Sequence, residues 1–253
     1  MMGPRKVGVN TIAGEPMRSI RRQIGLNHPV RQAQGYSGCL AEGGDEVRCP
    51  RHQTLERWVA RQLGAVEHER RVTTIASSLF ELTWPLHQLA ENHLEMLRLA
   101  AVVHDVGRSV HNKTHPVQGA RLVMSEASLP LSMTERRALA YLTLYHKGPV
   151  PPAGRDAILG RSDDADQLRQ VLSLLRAADA LDSRSLESPR LVFALVGRAT
   201  RLPTLHVTCY LETDCAKARR VYQRRKKFRL LEQLLGCQVE IEVAQAAALG
   251  MVA

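Results

Sequence analysis

The chain has 253 residues, 44% of them hydrophobic, 24% charged and only 4% aromatic. That length supports one sizeable core, or a core with a small satellite unit. The shortage of aromatics means a core of Leu, Ala and Val, which favours helices over sandwiches and barrels. With 35 Lys and Arg against 25 Asp and Glu, the net charge of +10 attracts polyanions such as nucleotides, polyphosphate, nucleic acid or anionic lipid.

Cys39, Cys49, Cys209, Cys215 and Cys237 are odd in number, widely spaced and form no CxxC pair. This argues against a disulfide framework or a thiolate zinc site, and for free thiols in a reducing compartment. The most apolar stretch, Leu97–Val103, contains Arg98 and is far shorter than the about twenty residues of a bilayer span. Arg5, Lys6 and Arg18 are followed by no apolar run of the kind a secretory signal requires. The expectation is a cytoplasmic protein with no membrane partner.

Residues 1–50, rich in Gly, Arg, Pro and Gln, carry no apolar period and are expected to form a poorly ordered leader. Helical spacing begins near His52 and continues to about residue 185. Trp58, Leu63, Val66, Val72, Ile75, Leu79 and Leu82 follow three- and four-residue steps, and Pro85 is expected to close the second helix. A third helix runs over Glu91–His104. Pro116 stands where a first-turn proline would, ahead of Val117–Met124, and Ser132-Met133-Thr134-Glu135 has the form of a capping box opening the helix that ends near His146. Leu168–Leu181 is a further helix. Beyond Pro189 the period changes to two, over Leu191–Val196, Leu205–Leu211 and Val239–Val243, as in strands wet on one face. A turn is expected at Thr200–Pro203, and one helix over residues 214–235. The predicted fold class is mainly α, a helical bundle at 51–187, followed by a small α+β (β-β-α-β) module at 188–246 packed on it.

The pair His104-Asp105 follows the apolar run Leu97–Val103 and should be at least partly buried. An unpaired buried carboxylate costs several kcal/mol (roughly), so it needs a cation or several donors. A divalent metal satisfies imidazole and carboxylate together, and an Asp can bridge two ions. Gly107 is expected to let the chain leave the helix tightly. Upstream stands His68 near a helix start. Downstream, Asp179 is embedded in the apolar run Leu174–Leu181, where a salt bridge to Arg71 or Arg176 is the alternative to metal binding. His111 is expected to be a solvent-facing loop histidine, and His28, His52, His87, His93 and His206 are assigned no role.

In this order, His68, His104-Asp105 and Asp179 resemble the H…HD…D signature of the HD superfamily of metal-dependent phosphohydrolases. His115-Pro116-Val117-Gln118-Gly119-Ala120 resembles the HPxxGA segment of its two-metal branches, which include the HD-GYP cyclic-dinucleotide phosphodiesterases, and Tyr145-His146-Lys147-Gly148 resembles the next ligand. Where the HD-GYP pattern has a second histidine and then Gly-Tyr-Pro, this chain has Lys147 and Gly148-Pro149-Val150, which points away from cyclic dinucleotides. Residues 50–243 are more similar to the C-terminal half of the exopolyphosphatase/guanosine pentaphosphate phosphatase family, notably at His68–Val72, Ser128-Leu129-Pro130, Leu144–Lys147 and Leu175–Arg184, without the actin-like ATPase-fold half of that family.

The resemblance implies a metal-dependent phosphohydrolase acting on a phosphoanhydride or phosphoester. It implies one or two divalent ions (Mn, Mg, Fe or another transition metal), one on His68, His104, Asp105 and Asp179 and the other on Asp105, His115 and His146. Asp105 would bridge and help activate water. Arg108, Lys147 and Arg184 are the nearest cations in sequence and are the expected phosphate ligands. The basic run between residues 214 and 235 would be a solvated face or a track for polyphosphate or nucleic acid. A non-catalytic, polyanion-binding regulator is the competing reading. A nucleic-acid-binding protein with purely structural histidines is the weakest, since no known recognition motif is present.

Overall fold

The computed structural model describes residues 50–152, 154–159, 164–198, 201–213 and 215–246. The leader expected over 1–50 lies outside the described residues except for Pro50, as do Cys39, Cys49, Thr200 and Asp214. Six helices come first: α1 (Pro50–Leu63), α2 (Glu67–His87), α3 (Glu91–Val103), α4 (His115–Ser125), α5 (Met133–Tyr145) and α6 (Ala165–Leu181). A 3-10 turn over Val106–Ser109 joins α3 to α4. Then follow β1 (Arg190–Arg198), β2 (Arg201–Leu211), α7 (Ala216–Tyr222), a second 3-10 turn over Arg225–Lys227, α8 (Arg229–Leu235) and β3 (Gln238–Gln245). This is a mainly α architecture with a small α+β module at its C-terminal end. Among the described residues no helix is long and apolar enough to cross a membrane.

Two helices form the centre of the bundle because they are apolar nearly all round. In α3, Leu97 and every residue from Leu99 to Val103 are buried, and in α6 so are Val171–Leu175 and Ala177–Leu181. Ala100, Ala101, Ala177 and Ala178 are small enough to let neighbouring helices approach closely. The surrounding helices are amphipathic and have local start signals. Ser132 and Glu135 make the reciprocal capping box of α5, and Pro116 occupies the first turn of α4.

In the module, β1 pairs antiparallel with β2, and β2 pairs parallel with β3. Val207 stands opposite Phe193 and Ile241, and Cys209 opposite Leu191 and Val243, so one face is apolar. The other carries His206, Thr208, Glu240 and Glu242. The apolar face joins the same continuous core as the bundle. Parallel pairing requires a crossover between β2 and β3, and residues 212–237 supply it.

Three expectations are corrected here. The single helix expected over 214–235 is broken into α7 and α8 by an extended Arg224 (φ −75, ψ 82) and the 3-10 turn after it. Phe228 is buried just beyond the break. The turn expected at Thr200–Pro203 does not reach Pro203, because Arg201, Leu202 and Pro203 already belong to β2. Pro85 does not end α2, which continues to His87 before Gln88 adopts a left-handed conformation (φ 51) and donates its N–H to Trp84 O.

That helix end explains His87. Its Nε2–H donates to Phe80 O at 2.9 Å, while Nδ1 accepts the Leu89 N–H at 2.9 Å. Both bonds require the neutral ring, and burial holds its pKa below the ordinary histidine value. A depressed folded pKa means that the unfolded chain takes up the proton first as pH falls. The stability contributed by neutral His87 is therefore complete above pH 6.5 and declines as pH drops below it. Urea unfolding of wild type and His87→Asn across pH 7.5 to 5.5 should show the stability difference narrowing on acidification; a constant difference would refute the assignment.

Gly107 acts through the absence of a side chain rather than through an unusual backbone angle. A Cβ there would lie 2.1 Å from His115 O and 2.3 Å from Gly119 N, and one on Gly119 would lie 2.8 Å from Thr143 Cγ2. The 3-10 turn and α4 thus meet backbone to backbone, with the Thr143 side chain of α5 packed on Gly119, which draws His115 toward Asp105. Beside them, the buried Arg136 fastens the α4–α5 connection through Val123 O (3.1 Å) and Leu129 O (2.8 Å). Gly107→Ala should destabilise the fold by about 2 kcal/mol or more, because the clash is with backbone that cannot swing aside. Denaturant midpoints at constant slope would measure it.

Candidate metal centre

The C-terminal ends of α3, α5 and α6 meet at one point. His104 caps α3 and Asp105 follows it, His146 caps α5, and Asp179 and Asp182 lie at the end of α6. Their exposed carbonyl ends favour positive charge. His68, in the first turn of α2, and His115, the first residue of α4, complete the cluster. The six residues singled out in the sequence, His68, His104, Asp105, His115, His146 and Asp179, are thus brought together, and none is more than 8% exposed.

Each imidazole has one nitrogen occupied by an acceptor. The Nδ1–H groups of His104, His115 and His146 donate to Ala101 O (2.8 Å), Asn112 O (2.7 Å) and Thr143 O (2.6 Å), and that of His68 donates to Asp182 Oδ2 (2.6 Å). A carbonyl can only accept, so Nδ1 carries the proton and Nε2 presents its lone pair inward. The Nε2 atoms of His115 and His146 lie 3.2 Å apart, and 3.1 and 3.4 Å from Asp105 Oδ1. Those of His68 and His104 each lie 3.5 Å from Asp179 Oδ1 and 3.9 Å from an oxygen of Asp105.

Converging lone pairs and carboxylates repel unless a cation lies between them. Among the buried polar atoms without a hydrogen-bond partner are His68 Nε2, His104 Nε2 and Asp105 Oδ1. Two buried groups, His68–His104–Asp105 and Asp105–His115–His146, each have ligand atoms within 4.8 Å of one another and could hold a metal ion. Asp105 belongs to both. Neutral imidazole nitrogen with carboxylate oxygen is the donor set that divalent transition metals accept. The donors therefore fit such a group.

Electrostatics keep the carboxylates ionised. Burial alone would raise the pKa of Asp105, but the surrounding His104, His115 and His146 and the Lys147 ammonium hold it far below the carboxylate range. Asp179 is held well down in the same way, against its burial, chiefly by His104 and His68. Burial pushes His146 down to about 4, which keeps it a neutral ligand at pH 7. His68 moves up, since the neighbouring Asp179 and Asp182 carboxylates outweigh burial. A proton thus competes with a metal at that ring.

Arg108, Lys147 and Arg184 also reach the cluster. Arg108 and Arg184 each place Nε on Asp105 Oδ2, at 2.6 and 2.9 Å, and Lys147 Nζ lies 3.6 Å from Asp105 Oδ1 and 3.4 Å from His115 Nε2. All three line an open cleft of about 240 Å³ onto which His68, Asp105 and Asp179 open. His111 is exposed and holds its own loop through the Thr114 N–H (3.3 Å).

Three residues of the site escaped sequence reasoning. Asp182 orients His68 and is itself held by Arg71 Nε and Ser188 Oγ, both at 2.9 Å. Arg71 therefore pairs with Asp182, not with Asp179 as the sequence allowed. The spacing of three from Asp179, which puts both carboxylates on one helix face, was the available signal. Glu69, fully buried, receives Arg184. Lys227, from the 3-10 turn of the module, lines the cleft, and nothing local in its sequence pointed there.

Asp182→Asn should weaken metal binding by about ten- to a hundredfold without unfolding the chain, because it loosens the ring that Asp182 orients. Metal titration beside a circular dichroism spectrum would check it; unchanged affinity would remove the orienting role.

Residues 51–194 match the family described as Ppx/GppA phosphatase, domain III. The matched segment spans more than half of the chain and contains every residue of the cluster from His68 to Asp182, the helices that carry them and the start of β1. The chain belongs to the Ppx/GppA phosphatase family through this domain.

Proposed function

We propose that the protein is a metal-dependent phosphohydrolase of the HD type, acting on a phosphoanhydride or phosphoester of polyphosphate-like or nucleotide-like character. The observation that carries this reading is the pair of buried His/Asp groups sharing Asp105 at the floor of an open, cation-lined cleft. His68, His104, Asp105 and Asp179 would hold one divalent ion, and Asp105, His115 and His146 a second, with Mn, Mg, Fe or another transition metal as the candidates. Such ions, when bound, supply Lewis acidity and bring the pKa of a water toward neutrality.

The residues of the chain supply the rest. Asp105, held ionised, fixes the position of the reacting water and neutralises cationic charge, while its depressed pKa makes it a poor proton acceptor. Arg108, Arg184 and Lys147 stand at the mouth and would exchange their contacts with Asp105 for the non-bridging oxygens of the phosphoryl group. Guanidinium groups suit that task because their planar fork matches two oxygens at once. Hydrolysis then forms a bond from water oxygen to phosphorus and breaks the bridging P–O bond, with one water proton ending on the departing oxygen.

Full-length protein loaded with Mn²⁺ or Mg²⁺ should turn over at least one of polyphosphate, a nucleoside triphosphate, guanosine tetra- or pentaphosphate, or an aryl phosphate. Asp105→Asn, which keeps the shape and removes the charge, should lower that rate by at least about a hundredfold. Turnover that survives this change would overturn the proposal.

A second reading, a non-catalytic polyanion-binding regulator, draws on the direct contact of Arg108 and Arg184 with Asp105 Oδ2, through which the site already neutralises part of its own charge. It differs in outcome: ligand binds, no product forms and metal chelation changes nothing.

A further inference from the structure

Glu69 stands where the core would accept an apolar side chain. It shares a stripe of α2 with Val72, Ala76 and Phe80, and all four are buried. Its side chain is only 1% exposed, and a carboxylate so placed is costly unless a cation meets it. That cation is Arg184, 115 residues later in the chain, which donates Nη2–H to Glu69 Oε1. The second oxygen, Oε2, is buried with no hydrogen-bond partner.

The three cations at the mouth of the metal-centre cleft differ in what else holds them. Lys147 Nζ contacts Asp105 Oδ1, Asp179 Oδ2 (3.8 Å) and His115 Nε2, all atoms of the proposed metal ligands. Arg108 has Asp105 Oδ2 and, beyond it, Asn112 Oδ1, a neutral amide on an exposed residue. Arg184 also touches Asp105 Oδ2, through Nε, but its second partner is the buried Glu69. An ion that takes up Asp105 therefore removes an anchor from each cation. Among the described residues, only Arg184 then keeps a charged partner outside the proposed ligand set.

A guanidinium carries five N–H donors. Arg184 commits Nε–H and one Nη2–H to the two carboxylates, and Nη1 makes no hydrogen bond among the described residues. Its side chain is 32% exposed and lines the cleft, so the remaining donors are available to an oxyanion.

We propose that Glu69 is a positioning residue whose buried carboxylate clamps Arg184 at the cleft, keeping this arginine an oriented oxyanion contact when a metal ion occupies Asp105. The orphaned Oε2 supports this, because it gives Glu69 an acceptor for the Nε–H that Asp105 would release. A fork already held in place reduces the ordering that a ligand would otherwise have to impose. The ligand class is a tetrahedral oxyanion such as a terminal phosphoryl group. The inference deepens the proposed function and rests on it for the chemistry at the cleft, but anion binding requires no turnover.

The test is calorimetric titration of full-length protein, loaded with Mn²⁺ and freed of excess metal, with inorganic orthophosphate. Charge alone predicts that Glu69→Gln, which removes an anion near the cleft, binds phosphate as well as wild type or better. The clamp predicts the opposite, a weakening of about tenfold, with Mn²⁺ affinity within about threefold of wild type. Arg184→Lys keeps the charge but loses the planar fork that holds Glu69 and an oxyanion together, and should also weaken phosphate by about tenfold. Adding Glu69→Gln to Arg184→Lys should then change phosphate affinity by no more than about twofold. Unchanged or tighter phosphate binding in Glu69→Gln, equal losses in the two backgrounds, or a loss of about tenfold or more in Mn²⁺ affinity would each overturn the clamp. So would phosphate binding unaffected by Arg184→Lys, which decides the matter even where Glu69→Gln does not fold. Absence of turnover, with these binding results intact, would instead remove the hydrolase reading and leave the clamp standing.

Discussion

The structure depends on one constraint: four imidazoles each have Nδ1 tied to an acceptor, so that four Nε2 atoms must face two carboxylates in a buried space. A core of Leu, Val and Ala cannot stabilise such a cluster, because lone pairs and anionic oxygens gain nothing from apolar neighbours. Positive charge has to be present, and the fold supplies several sources of it. Arg108, Arg184 and Lys147 contact the carboxylates, a proton is favoured on His68, and the inward-facing Nε2 atoms match the donor chemistry of divalent ions.

The remainder of the bundle maintains that convergence. The two most deeply buried helices, α3 and α6, end at the same place, which sets His104, Asp105, Asp179 and Asp182 side by side. Gly107 and Gly119 remove the side chains that would hold α4 away, and Arg136 and Arg176 fix connections on either side of α5 through backbone carbonyls. Each arginine is largely occupied with structure, although by charge alone it would be counted among the cations available to a substrate. Counting basic residues therefore overstates the functional surface. What matters is which of them line a cleft.

The C-terminal module contributes to the same theme. Its sheet closes the core through Leu191, Phe193, Val207, Cys209 and Val243, and its crossover carries Lys227 to the edge of the metal-centre cleft. Attachment of the module and completion of the cleft are thus two consequences of one packing arrangement. Tyr222, fully buried, adds to the anchoring by donating its hydroxyl to Glu187 O at 2.7 Å.

Much was readable from the chain itself. Local signals have local causes: three- and four-residue apolar steps, the Ser132–Glu135 capping box, the early Pro116 and the period-two strands each arise from backbone geometry within a few residues. The six histidine and aspartate positions stood out because charged or polar groups beside apolar runs have to be satisfied after burial. Tertiary structure alone decided the rest. Asp182 rather than Asp179 holds Arg71, Gly107 is needed for a neighbour more than ten residues away at Gly119, and the basic segment after β2 breaks so that Lys227 faces a site built by other helices. Those outcomes depend on distances between segments remote in sequence, which apolar periodicity, blind to the partner each face will meet, does not encode.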